Sequence, residues 1–112
     1  MTPVEVAVGT VVDLLVRREY EAVERVTEGD RMSAGEISEA ISEYGRTLVR
    51  PNAGDWWPLV VVTPVTAEPG KLHVAAPLWT AEEGRSDLTL ELLLTEFAPE
   101  LYRPTLLNIH VL

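Results

Sequence analysis

His73 and His110 are the only imidazoles in this chain, which has no cysteine to offer as thiolate, nucleophile or disulfide. Their chemistry therefore depends on carboxylates. Asn108 and His110 share one parity of an alternating run, Leu107 to Val111. Glu91, in the preceding apolar run, is the expected cross-strand neighbour of His110. A His–Glu pair of this kind supports general base work, or serves as a cross-strand polar pair. Zinc without cysteine would need both histidines together with carboxylates.

The second set is acidic. Glu82-Glu83-Gly84-Arg85-Ser86-Asp87 gathers three carboxylates in six residues. Calcium takes roughly six to eight oxygens, and the alternating Asp/Asn spacing of an EF-hand loop is missing. Solvated charge at a turn accounts for the run, with Arg85 expected to pair with Glu83 or Asp87. The chain has no Gly-x-Ser-x-Gly elbow, no His-Glu-x-x-His and no glycine-rich loop opening a helix. No catalytic residue, metal site or cofactor is assigned.

Trp56, Trp57 and Trp79 are the informative aromatics. Alternation sets Trp79 opposite Val74, Ala76 and Leu78, on the side His73 occupies. It either lies under the Trp56-Trp57 loop, sealing the second face of a sheet, or stands out as a binding anchor.

These groups need a sheet to position them. Leu88, Leu90, Leu92 and Leu94 alternate with Thr89, Glu91 and Thr95, and Leu93 is the one exception. That is the pattern of a strand with one buried and one wet face. The polar knot at 82–87 makes the turn of a hairpin from Leu78 to Thr95. Further strands are expected at Leu59–Thr63, Leu72–Trp79 and Tyr102–Leu112, with Pro64 limiting the first ladder and Pro77 marking a bulge or an edge.

The helices come first. Thr2-Pro3 reads as an N-cap and first helical residue, followed by Val4, Val8, Val11, Val12 and Leu15 at helical spacing. Arg17-Arg18 suit the negative end of that helix. Tyr20, Val23 and Val26 share a second helical face, which Gly29 stops, and periodicity leaves open whether the two pieces are one kinked helix. Ser33-Ala34-Gly35-Glu36 is a capping box, and Ile37, Ala40, Ile41, Tyr44 and Leu48 form the stripe behind it, with Gly45 at its end. The expected fold is α+β: N-terminal helices packed on one face of a four-stranded antiparallel meander, one domain over residues 1–112.

The totals agree with a single core. A domain of about this size buries roughly two-thirds of its unfolded surface. The formal net charge is −9, from 18 acidic and 9 basic residues. Such a surface repels phosphate backbones and argues against nucleic acid, while it steers a basic partner inward. No apolar run approaches the roughly 20 residues of a membrane helix, and no secretory signal is visible, so the cytoplasm is expected. Eight arginines against one lysine suggest a high-GC bacterial genome.

Three stretches carry a resemblance. Tyr44-Gly45-Arg46-Thr47-Leu48-Val49, the run from Leu78-Trp79-Thr80 through Asp87-Leu88-Thr89-Leu90, and the ending Ile109-His110-Val111-Leu112 resemble a family of small bacterial domains of unknown function. The opening Val16–Val23 is more distantly similar to NTF2-like, cystatin-like α+β domains. The first resemblance implies no activity; the second implies a bent sheet around a pocket.

The leading expectation is a non-enzymatic module that binds a protein, a basic one by its charge. Trp79, Glu91, Asn108 and His110 would form an outer sheet face, and Glu82, Glu83, Arg85 and Asp87 an acidic hairpin tip. Small acidic domains of this build resemble immunity proteins that mask the basic active sites of toxic enzymes. The alternative is an NTF2-like pocket protein that binds or transforms a small apolar molecule, lined by His110, Tyr44 and Trp79. A third reading is a homodimer formed through the sheet faces.

Overall fold

The computed structural model describes residues 2–29 and 31–111. Leu112, the expected last strand residue, lies outside them. Helix α1 (Pro3–Val16) opens on a capping box, in which Thr2 accepts from the Glu5 amide and Glu5 accepts from the Thr2 amide. The chain then breaks, and α2 (Tyr20–Val26) starts afresh, so the two helical pieces are separate. Helix α3 (Ala34–Tyr44) carries the capping box expected at Ser33 and Glu36, and it stops at Gly45, whose φ of 73° suits glycine.

Immediately beyond Gly45 the structure departs from periodicity. Leu48, assigned to the α3 stripe, instead belongs to a two-residue strand, β1 (Leu48–Val49). A short helix α4 (Ala53–Trp56) and a 3-10 turn at Trp57–Leu59 follow, so strand β2 begins late, at Val61, and ends on Pro64. Strands β3 (Lys71–Thr80), β4 (Gly84–Ala98) and β5 (Leu101–Val111) complete an antiparallel sheet of five strands, not four. The order is β1-β3-β4-β5, with β2 lying along the same edge of β3 as β1.

The leucine alternation survives intact. Leu88, Leu90, Leu92 and Leu94 are at most 2% exposed and join Val74, Ala76, Leu78, Leu106 and Ile109. Val8, Val11, Val12 and Leu15 of α1, Val23 of α2, and Ile37 and Ile41 of α3 belong to the same core. Fully burying such a side chain contributes roughly 1.5–3 kcal/mol, and that sum stabilises the chain without cross-links.

The turn is shorter than the polar knot. Gly84 already belongs to β4, and the ladder slips where Pro77 pairs with Thr89 but Trp79 with Arg85. Ser86 to Leu88 thus face Leu78 alone, a bulge at the Pro77 position where a missing donor favours one. Ser86, buried there, donates to the Leu78 carbonyl at 2.8 Å and accepts from the Leu88 amide at 3.1 Å. Trp56, also buried, donates its indole N–H to the Pro77 carbonyl at 2.8 Å. The bulge therefore leaves these backbone groups partnered.

Candidate functional site on the outer sheet side

Residues of β3, β4 and β5 that alternate with the core leucines assemble the chemistry. Ala75 pairs with Glu91, which pairs with Asn108, while Thr89 pairs with His110. His110 reaches diagonally to Glu91, Nε2 to Oε2 at 3.0 Å, and that neighbour was the expected one. His73 reaches the other carboxylate oxygen, Nε2 to Oε1 at 3.4 Å. A single glutamate thus stands between two imidazoles across three strands.

The arrangement limits its own chemistry. With Nε2 of His110 donating to Glu91, Nδ1 lies 3.4 Å from the Val111 carbonyl and can donate there only in the imidazolium form. The two histidines take opposite oxygens rather than surrounding one point. Among the described residues, no group of three His, Cys, Asp or Glu could hold a metal ion. What the trio does offer is charge: one negative unit with both imidazoles neutral, one positive with both protonated.

Beside it runs a cleft of about 390 Å³, lined by Leu59, Val61, Ala75, Pro77, Arg85, Ser86, Asp87 and Thr89. Thr89 was expected to face water, yet it is 5% exposed and lines this cleft. Asp87 and Arg85 stand exposed at the hairpin end, and Val61 is 59% exposed. The cleft and the His–Glu–His trio share the Ala75–Glu91 and Thr89–His110 rungs, so they form one surface.

Asn108 lies next to Glu91 but uses its side-chain carbonyl to accept from the Ile109 amide at 2.9 Å. That bond serves the slip where Leu107 has no partner on β4. Trp79 is half-buried and packs against the core. It does not join the other two indoles, which touch each other with centroids 4.6 Å apart. Trp56 enters the core and Trp57 packs at its margin.

Glu82 and Glu83 turn the other way. The Thr47 amide and hydroxyl donate to Glu82 at 2.9 and 3.0 Å. Tyr44 donates its hydroxyl to Glu83 at 2.9 Å, and Thr80 donates to the same oxygen at 3.1 Å. The backbone hydrogen bond from Thr47 holds the Glu82 carboxyl below the usual carboxylate range. The tip is thereby tied to the end of α3. Arg85 takes neither expected partner: among the described residues it makes no ion pair, since Glu83 is committed to Tyr44 and Thr80.

Among the described residues, further clefts of a few hundred Å³ lie among the helices, the loop before β2 and the β4–β5 turn. His110, Tyr44 and Trp79, the lining expected of a pocket, line none of these clefts. His73, placed by alternation on the Trp79 side but given no partner there, is the site residue that sequence reasoning missed, because its contact with Glu91 depends on the β3–β4 register. Among the described residues no helix is long and apolar enough to cross a membrane. Residues 12–112 match the family described as a domain of unknown function (DUF7668), and the chain belongs to it. No curated protein and no solved structure matches the chain.

Proposed function

We propose that this member of the DUF7668 family is a protein-binding module whose outer sheet side receives a basic partner. The helices are taken to lie over the leucine side, which leaves the opposite side open. One observation carries the reading: a cleft lined by exposed Asp87 lies beside Glu91, which is flanked by two half-exposed imidazoles. An arginine or lysine of the partner seated there would pair with Asp87 or the neighbouring Glu91 and lay its stem on Val61 and Pro77, with Arg85 as the opposing charge in the cleft lining. The net charge of −9 adds long-range steering.

The hairpin tip contributes differently from the outer side. Glu82 and Glu83 are exposed but fixed in place, so they present charge without an ordering cost on association. A small acidic domain built this way suits an immunity-like role, in which it covers the basic active site of a toxic enzyme in the same cytoplasm.

The test uses the protein encoded by the neighbouring gene, co-expressed with this chain. Joint purification is expected, and Asp87→Lys with Glu91→Lys should slow association about tenfold or more while the fold is kept. A complex whose association rate ignores both reversals would remove the outer side from the function.

A second reading has its own observation. An apolar cleft of about 400 Å³ between α1 and the Arg50–Trp57 segment is lined by Val6, Val12, Trp56 and Trp57, with the Asp13–Arg50 ion pair in its wall. It suits a small apolar ligand. Saturable quenching of tryptophan fluorescence by such a ligand, with partner association unaffected, would favour it.

A further inference from the structure

Helix α1 ends in a Schellman motif: the Arg18 amide donates to the Leu15 carbonyl and the Glu19 amide to the Leu14 carbonyl, both at 3.0 Å. That motif requires a left-handed residue just past the helix, which is usually glycine. Here the residue is Arg18, with φ at 60°. The chain uses glycine at the corresponding end of α3, Gly45. Among the described residues two other non-glycine residues have positive φ, Glu28 and Glu100. The Glu28 carboxylate pairs with Arg103 at 3.4 Å, while at Glu100 the bonded group is the backbone amide, which donates to the Glu96 carboxylate at 3.2 Å. Arg18 has no ion pair or side-chain hydrogen bond among the described residues. Its guanidinium is therefore left free to meet a ligand, at a backbone cost the fold itself carries.

Its surroundings say which kind of ligand. Arg18 lines a cleft of about 380 Å³ between the end of α1, the start of α2 and α3. Arg46 lines the same cleft, bonded through Nη1 only to its neighbour's carbonyl, Gly45, at 3.3 Å, with the Glu82 carboxylate near enough to feel its charge. Tyr20, Ser38 and Ser42 add hydroxyls, and Leu15, Ile41 and Leu48 add an apolar floor. In a chain with 18 acids and 9 bases, two guanidiniums around one hollow are a local inversion of sign.

We propose that this cleft binds a small molecule carrying a phosphate monoester on an apolar body. Two forked guanidiniums and three hydroxyls offer more donors than a carboxylate has acceptor positions, whereas a phosphate has three terminal oxygens and about two charges to meet them. The volume exceeds that of an inorganic ion, and the floor is apolar, so the ester group would fill the remainder. This site is separate from the outer sheet side, and it stands or falls without it.

Phenyl phosphate is the probe, titrated into the whole chain while backbone amide resonances are followed. Saturable shifts are expected around residues 15–20 and 38–48, with benzoate at least about tenfold weaker. Arg18→Gly removes the guanidinium and suits the left-handed backbone, so the fold should be kept while phenyl phosphate binds at least about tenfold more weakly. Arg17→Gln, which alters a neighbouring arginine paired with Asp13 and Glu19, should leave binding unchanged. Shifts that never saturate, equal binding of benzoate, or full binding by Arg18→Gly would each overturn the proposal.

Discussion

Strand β4 has two sides that obey different rules. Leu88, Leu90, Leu92 and Leu94 are sealed from water, while Glu91, Leu93 and Thr95 on the alternate positions stay half-exposed. The leucine side is fixed by volume, because its side chains belong to a core shared with four helices and with β1, β3 and β5. The other side is fixed by hydrogen bonds, a shared carboxylate and a bulge. Packing leaves no freedom for a partner, whereas directional polar contacts at a half-wet surface can be exchanged for a partner's groups. The same strand thus stabilises the domain with one side and, in the function we propose, offers recognition with the other.

The contrast can be broken most severely from the leucine side. Leu92→Ala should cost about 2–5 kcal/mol, read from the denaturant midpoint, because a fully buried side chain leaves a cavity. A change under ~1 kcal/mol would mean that the side is not sealed. Ser86→Ala comes next, at about 1–3 kcal/mol, since the Leu78 carbonyl and Leu88 amide both lose a buried partner at the bulge. Glu91→Gln should change stability by less than ~1 kcal/mol, as both its contacts are half-exposed, yet weaken partner association measurably.

Acid gives the smallest effect. Glu5, Glu36 and Glu82 have carboxyls held low by backbone hydrogen bonds from Thr2, Ser33 and Thr47 respectively. A carboxyl whose folded value is depressed contributes stability above its unfolded value and loses it as pH falls through the folded one. Melting temperature should therefore fall below about pH 4, and the triple Gln variant should show a shallower fall. An identical acid limb in that variant would remove these bonds from the balance.

What sequence reasoning reached was whatever depended on local period or local chemistry. The Ser33–Glu36 box, the β4 alternation and the Pro77 irregularity are decided within a few residues. Leu48 was misread because it follows Tyr44 at helical spacing, although Gly45, expected at the helix end and left-handed there, closes the helix before it. Leu59 and Val60 are apolar and β-branched enough for a strand, but Pro58 sits in a 3-10 turn that delays it. The His110–Glu91 contact was legible because both residues follow clean alternation on neighbouring strands. The His73 contact was not, since it requires the β3–β4 register, and bulges set that register by long-range pairing. Glu82 and Glu83 carried no sign of their partners, because Thr47 and Tyr44 reach them from 35 and 39 residues away.

The most direct test of the two-sided strand is a cross-saturation footprint on the chain bound to the product of the neighbouring gene. The account predicts attenuated signals at Ala75, Asp87, Thr89, Glu91 and His110, with the helix amides untouched. Attenuation confined to α1, α2 and α3, with those five signals at full strength, would contradict it.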